Sequence, residues 1–104
     1  MASSTEAFDR FWTWKKSNTL LKVTVWEKGQ EPITFIGSVV LPEEEALRVT
    51  FADHEERRPV ILRFEDCSFR VGAKILFADR FGDEYFECED TGEHWIPIGE
   101  TKRI

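Results

Sequence analysis

Beyond residue 18 the chain is a succession of short apolar segments separated by turn-forming residues. The segments are rich in Val, Ile, Phe and Thr, which favour strands, and they end at clusters of Gly, Pro, Asp or Asn, which favour turns. No second stretch of helical periodicity follows, so the sequence predicts a mainly β fold. The eight predicted strands are 20–26, 33–40, 47–51, 59–64, 69–71, 74–78, 84–88 and 94–98.

The N-terminal segment has the pattern of a single helix. Ser3-Ser4-Thr5-Glu6 has the spacing of a capping box, in which a hydroxyl and a carboxylate satisfy backbone N–H groups of the first turn. The helix is expected to end near Ser17-Asn18. Its apolar residues follow at helical intervals: Ala7, Phe8, Phe11 and Trp12.

Alternation along the predicted strands indicates which side chains face the core. The expected inward set is Leu21, Val23, Val25, Ile33, Phe35, Val39, Leu47, Val49, Phe51, Val60, Leu62 and Phe64. Tight turns are predicted at 27–30, 65–67 and 80–83, and a single helical turn that begins with proline is predicted at 42–46.

Many short antiparallel strands leave exposed edges unless the sheet curls, and an unpaired edge is a template for aggregation. The sequence therefore predicts a small closed or partly open antiparallel barrel of six to eight strands with one N-terminal α-helix. This architecture is similar to the SH3-like and Sm-like small barrels. One domain is expected over 1–104, with the helix in 1–18, the barrel in 19–99 and a short tail in 100–104.

Composition excludes several classes of function. The net charge is −6, whereas binding to a nucleic-acid backbone depends on clustered Lys and Arg, so no nucleic-acid partner is expected. The region 73–104 carries eight acidic and four basic side chains, a surface that suits a basic protein partner. No membrane span or signal peptide is recognised. Cys67 and Cys88 fit no metal-ligand pattern, and a disulfide between them is the disfavoured alternative. Together these features predict a cytoplasmic protein without a membrane partner.

The segment FEDCSFRVG, residues 64–72, resembles the motif of the PilZ family, barrels that bind a cyclic dinucleotide. That motif places Asp or Asn, Ser and Gly in order, as Asp66, Ser68 and Gly72 stand here with one extra residue before the glycine. The family's two phosphate-clamping arginines lie four apart, whereas Arg57 and Arg58 are adjacent.

The resemblance implies a PilZ-like barrel that senses a small phosphorylated ligand. Its candidate ligand residues are Arg57, Arg58, Arg63, Asp66, Ser68 and Arg70. The alternative is structural: Asp66 and Ser68 bond to turn backbone, and Gly72 supplies a positive φ or fits a crowded position.

No catalytic, metal or cofactor site is predicted. His54 and His94 each lie among carboxylates, but a zinc site needs three or four ligands at recognisable spacing, so both are assigned to surface turns. No nucleophile elbow, phosphate loop or zinc-protease motif occurs, and the chain is predicted not to be an enzyme.

Tryptophan is frequent, with four in 104 residues. Phe11 and Trp12 are expected to face the core, Trp14 to point away from it, and Trp26 to lie on the outer face of its strand. Because exposed aromatic side chains are typical of interfaces, the favoured function is a non-catalytic interaction module. It would associate with itself or with another protein through Trp12, Trp14 and Trp26, and an acidic inhibitor or immunity-type protein is one form. The alternatives are four tryptophans in the core, and the ligand sensor described above.

Overall fold

The computed structural model describes residues 4–79 and 81–96. The helix α1 is Ser4–Lys16, and the strands are β1 Thr19–Glu27, β2 Ile33–Glu43, β3 Arg48–Asp53, β4 Arg58–Arg63, β5 Cys67–Val71, β6 Lys74–Asp79 and β7 Glu84–His94, with a 3₁₀ turn Glu44–Ala46 between β2 and β3. The seven strands form one sheet of antiparallel neighbours in the order β4-β3-β2-β1-β7-β6-β5. The prediction of a mainly β fold with an N-terminal helix is confirmed.

The two edge strands, β4 and β5, are consecutive in the chain and joined by residues 64–66 alone. In a flat sheet of seven strands the edges would be about 29 Å apart. The linker from Arg63 to Cys67 reaches at most about 14 Å, so the sheet must curl until its edges meet at this corner. A predicted tight turn forms there: the Cys67 N–H donates to the Phe64 carbonyl at 3.2 Å, and Asp66 has φ 60°. The described strands do not pair β4 with β5, so the sheet is curled but not closed.

The helix packs on the concave face of the sheet, against β2 with further contacts to β1 and β5. Its buried residues are Ala7, Phe8, Phe11 and Trp14. The Phe11 ring lies beside the stacked pair of Phe64 and Phe77, with centroid distances of 6.3 and 5.9 Å to the two rings. The helix therefore joins side chains from both ends of the curled sheet in one aromatic core.

The orientation of two tryptophans is the reverse of the prediction. Trp14 is 4% exposed and packs edge-on against Phe11, whereas Trp12 is 40% exposed. At about 100° per residue, Trp14 lies about 60° from Phe11 around the helix axis and about 20° from Ala7. The buried stripe thus centres on Ala7, Phe11 and Trp14, and Trp12 falls at its margin.

Most of the predicted inward residues are buried or half-buried, and Ile33 is the error, at 57% exposed. Ile33 is the first residue of β2, and it pairs with the half-buried Val25, so the concave face loses its cover at this end of the sheet. Alternation identifies the face of a residue but not where along the strand the covering layer stops.

Other local predictions are confirmed or corrected as follows. The turn at 27–30 forms, with Gly29 at φ 82°. The helical turn at 42–46 begins only at Glu44, because Pro42 still belongs to β2. Gly72 has neither a positive φ nor a crowded position, since a Cβ there would meet nothing within 4 Å. The predicted strand 94–98 is reduced to the last residue of β7, and its positions 97 and 98, like residue 80 of the turn at 80–83, lie outside the described residues.

A glycine in β2 permits the close approach of two strands. A Cβ at Gly37 would lie 2.3 Å from the backbone oxygen of Ala52 on β3, well inside contact distance. No helix in the described ranges is long and apolar enough to cross a membrane.

Candidate functional site

Five apolar residues lie on the convex face of β2, β3 and β4 and are here called the outer patch: Val40, Leu41, Ala52, Pro59 and Ile61. The register places Ala52 directly opposite Pro59, and Thr50 between Leu41 and Ile61. Val40, Leu41 and Ile61 are 45%, 43% and 53% exposed. The patch is therefore an aliphatic surface in contact with solvent, with Thr50 between Leu41 and Ile61.

A β-bulge explains why two successive residues of β2 are exposed. The pairing of β2 with β3 shifts register between Val39 and Leu41. Val39 is buried in the core, and the extra residue places both Val40 and Leu41 outside, where a regular strand would expose one of them. The bulge thus enlarges the outer patch at the cost of one ladder position.

A groove of about 640 Å³ lies beside the outer patch. Val40, Ala52 and Pro59 form apolar walls, and the far end is charged, with Asp53 and the arginines Arg57 and Arg58. The groove could therefore receive an apolar side chain while its charged end contacts a polar group of the same ligand.

The Asp53 carboxylate fixes the turn at this charged end. Its Oδ1 accepts the backbone N–H groups of Glu55 and Glu56 at 3.0 and 3.1 Å, and its Oδ2 accepts the Arg58 Nε–H at 3.4 Å. Burial alone would raise the pKa of Asp53. The two backbone donors and the Arg58 guanidinium outweigh that effect and hold its pKa below the ordinary value. Asp53 therefore remains ionised and stabilises the turn between β3 and β4, in which Arg57 has a φ of 54°.

A polar cluster lines a second cavity of about 330 Å³, which shares Val40, Ala52 and His54 with the groove. Ser38 Oγ and His54 Nε2 are joined by a hydrogen bond of 2.9 Å, and the His54 ring lies 5.2 Å from that of Trp95. The hydrogen bonds made by the Asp53 carboxylate go elsewhere, so it does not orient the imidazole. Ser38 is buried, and the pair forms a wall of the cavity.

The structure separates the six predicted ligand residues into two groups. Arg57 lies in the turn just before β4, Arg58 begins the strand, and Arg63 ends it about 16 Å away. Arg58 pairs with Asp53 at 3.4 Å. Arg63 lies directly across from Arg48 on β3. The arginines of the PilZ-like hypothesis therefore occupy opposite ends of the edge strand.

The remaining ligand candidates lie beyond the β4–β5 corner. Asp66 is in the turn, while Ser68 and Arg70 are exposed on β5 and line a small cavity of about 220 Å³ with Tyr85. The Ser68 hydroxyl donates to the Ala78 carbonyl at 3.5 Å. This cavity contains neither Arg57 nor Arg58 among its lining residues, so no single pocket gathers the predicted set.

The tryptophans predicted for an interface occupy three different environments. Trp14 is in the core, as described above. Trp26 lies half-buried on the outer face opposite Tyr85 of β7, as expected for its strand. Trp12 lines a groove beside Glu44 and Glu45 and has the Lys15 Nζ 6.0 Å from its ring.

Acidic residues gather where β1 meets the β6–β7 hairpin. Glu27 and Glu84 are directly opposite in the register, and Asp79 and Asp83 are close by. Burial first, and then repulsion by these three carboxylates, raises the pKa of Glu84 above its ordinary value. Lys28 offsets part of this charge through a 3.9 Å contact with Asp83. Three of these four carboxylates, those of Asp79, Asp83 and Glu84, belong to the acidic region 73–104.

Both cysteines are free thiols, and neither has the environment of a reactive one. Burial, together with the carboxylates of Glu84, Asp79 and Asp66, raises the pKa of Cys67 to about 11. Burial raises the pKa of Cys88 further still. No group of three metal-ligating side chains occurs in the part of the chain that the structure describes.

The outer patch was not predicted from the sequence, although the signal was present. Three apolar residues follow one another at 39–41, and a run of four at 59–62 begins with proline. Both runs interrupt strict alternation and indicate strands with apolar residues on two faces. Comparisons of the chain with protein-family models, curated proteins and solved structures find no match.

Proposed function

We propose that this protein is a non-catalytic interaction module that binds a protein partner on the outer patch. The observation that carries the proposal is the set of aliphatic side chains on the outer face of three adjacent strands, of which Val40, Leu41 and Ile61 are exposed, beside a groove with apolar walls. Contiguous apolar surface rimmed by polar residues is typical of protein interaction sites. The proposal transfers the interface from the predicted tryptophans to the aliphatic side chains of β2, β3 and β4.

The rim of the outer patch supports this assignment. Arg57 stands at one end of β4 and Arg63 at the other, and among the described residues neither has an ion pair with a carboxylate. Arginine is enriched at interfaces because its guanidinium makes several hydrogen bonds in one plane. A partner that covers the outer patch would bring its polar groups to these two side chains.

The non-catalytic assignment is supported by the chemistry of the Ser38–His54 pair. Catalysis by such a pair needs an accessible nucleophile and a third group that orients the base. Ser38 is buried, and the neighbouring Asp53 carboxylate is held by backbone and by Arg58. The pair is better suited to holding β2 and β3 in place beneath the docking surface.

The proposal is tested by selecting binders from a phage library of random peptides, with the intact chain as bait. Peptides selected by the unaltered protein should lose binding to Leu41→Thr and Ile61→Thr, because each change removes apolar area from the outer patch. The matched control is Ile33→Thr, a similar change at an exposed residue away from the outer patch, which should retain binding.

Light scattering at two protein concentrations runs beside the selection. A dimer that Leu41→Thr dissociates would identify the partner as a second copy of the chain, docked on the same surface. Failure to select any peptide, with a monomer mass at both concentrations, would contradict the proposed function. Equal loss of binding in the Ile33→Thr control would contradict it as well.

A further inference from the structure

Strand β4 is an open edge of the sheet, and the hydrogen bonds fix which of its backbone groups are free. The Phe64 N–H donates to the Leu47 carbonyl of the β3 side at 2.8 Å. Because backbone groups alternate in direction along a strand, those of Val60 and Leu62 point to β3, and those of Pro59, Ile61 and Arg63 point away from the sheet.

A second hydrogen bond gives the same alternation of inward-pointing and outward-pointing backbone groups. The His54 N–H donates to the Ile36 carbonyl of β2 at 2.9 Å, so the even-numbered residues of β3 bond to β2 and the odd-numbered ones to β4. Pro59 has no N–H, and at its position in β4 no ladder bond is lost. The open edge therefore offers N–H donors at Ile61 and Arg63 and carbonyl acceptors at Pro59, Ile61 and Arg63.

Positive charge marks both ends of this edge within a chain of net charge −6. Arg48 and Arg58 are already paired, with Glu43 at 2.6 Å and with Asp53 at 3.4 Å. Arg57 and Arg63 are the arginines at the two ends whose charge no carboxylate of the described residues pairs. Between them the side chain of Ile61 belongs to the outer patch. The edge thus presents an arginine without an ion pair at each end and an apolar centre.

A second copy of the chain fits this edge poorly in the two registers centred on the middle of β4. Two β4 strands paired antiparallel about Val60 would place Arg57 opposite Arg63 of the other copy, and like charges directly opposite are destabilising. Pairing about Ile61 would place Arg63 opposite Pro59, which cannot donate a hydrogen bond. Both arrangements of the strand dimer are therefore disfavoured by residues at its ends.

We infer that the partner contributes an extended acidic segment, which adds to the edge of β4 as an eighth strand. Its backbone would pair with Ile61 and Arg63, its outward apolar side chains would lie beside Pro59 and Ile61 of the outer patch, and its carboxylates would meet Arg57 and Arg63. The inference rests on the proposed function, since it assigns the partner and the binding mode of the same surface.

The test uses a nine-residue peptide with two acidic residues at each end and alternating Val and Thr between them. Its affinity for the intact protein is measured by titration calorimetry, and amide exchange is followed by NMR. We expect a Kd below about 1 mM. We also expect slowed exchange at the Ile61 and Arg63 amides, because those N–H groups become donors to the added strand.

Charge and edge substitutions give the decisive comparisons. Arg57→Glu and Arg63→Glu should each weaken binding at least about tenfold, whereas Lys22→Glu, the same reversal at an exposed side chain of β1, should not. Ile61→Pro should abolish binding, because it removes the open N–H without touching the bonds to β3. Ile61→Val, which keeps the N–H, should retain it. A peptide with Lys in place of its acidic residues should not bind.

The outcomes separate the inference from the proposed function. Absence of binding by the acidic peptide at 1 mM (a limit set at about −4.1 kcal/mol), or binding without protection of the Ile61 and Arg63 amides, overturns the strand-addition inference. If Leu41→Thr still abolishes binding of the library-selected peptides, the outer patch remains the docking surface and only the mode is wrong. If Leu41→Thr has no effect on them either, both proposals fail.

Discussion

Phe64 is predicted to hold the corner where the two edges of the curled sheet meet, and Phe64→Ala should destabilise the fold severely. The ring stacks on Phe77 at a centroid distance of 3.8 Å and lies edge-on to Phe86 at 5.2 Å. Phe64 ends the β4 side of the corner, while Phe77 and Phe86 belong to β6 and β7, at the other end of the sheet. The ring therefore makes contacts across the line along which β4 and β5 are not paired.

The size of the effect follows from burial and ring contacts. Replacement of a buried Phe by Ala typically costs about 3–5 kcal/mol. Close aromatic pairs add about 0.5–1.5 kcal/mol each beyond buried area, so a loss of at least about 4 kcal/mol is expected for Phe64. Domains of this kind have a free energy of unfolding of about 5–15 kcal/mol, so about 4 kcal/mol is a large share of it. Phe64→Leu retains most of the volume and should cost about 1–2 kcal/mol.

Urea unfolding followed by tryptophan fluorescence measures the loss. With an m-value of about 1.5 kcal/mol/M, a loss of 4 kcal/mol lowers the midpoint by about 2.7 M. Ile33→Ala, at an exposed residue, is the matched control and should change the free energy of unfolding by less than about 1 kcal/mol. If Phe64→Ala fails to fold, the urea midpoint of Phe64→Leu tests the prediction instead. A midpoint for either Phe64 variant that equals that of Ile33→Ala would refute the role of the corner.

Three further predictions follow from local geometry. Gly37→Ala should lower the free energy of unfolding by about 1–3 kcal/mol, because its Cβ would meet the Ala52 carbonyl oxygen. An unchanged urea midpoint would show that the strands can separate there without cost. Glu84→Gln should raise stability at pH 7 by about 0.5 kcal/mol. Because the pKa of Glu84 is raised in the folded protein, the protonated side chain contributes to stability below its ordinary pKa, and this contribution is lost as the pH rises through the folded pKa. The stability gained by Glu84→Gln should therefore vanish below about pH 4. A gain that persists in acid would contradict this cause. Alkylation of Cys67 by iodoacetamide at pH 7.5 should be at least about tenfold slower than that of a free thiol peptide, because the thiolate is the reacting form and the pKa of Cys67 is raised to about 11. A rate like that of the peptide would show that the thiol is less covered than the structure indicates.

Much of the fold could be predicted because strand periodicity is a local property. The inward residues of β1, β3 and β4 follow from alternation, and turns such as the one at Gly29 follow from residues that tolerate a positive φ. The error at Ile33 arises because the extent of the helix over the sheet is set by tertiary packing. The reversal of Trp12 and Trp14 has a different cause: two overlapping helical stripes share Phe8 and Phe11, and only the position of the sheet selects one of them.

The docking surface could not be predicted from motifs because it is made by register. Leu41 and Ile61 are twenty residues apart and become neighbours through Thr50 on the strand between them. The bulge that exposes Val40 has no distinctive residue type in this sequence. The PilZ-like hypothesis depended on arginines that are close in sequence, and a strand about 16 Å long is enough to separate Arg58 from Arg63.

The order of the strands also determines how this chain could be divided. Strands β1 to β4 form one meander and β5 to β7 another. The two meanders are joined by the long pairing of β1 with β7 and by the contacts of α1 with both. A cut between Glu65 and Asp66 would therefore leave each meander whole. Two such fragments, expressed separately, would have one complete strand interface and the ring of Phe64 by which to recognise each other, which is the arrangement that a split reporter requires.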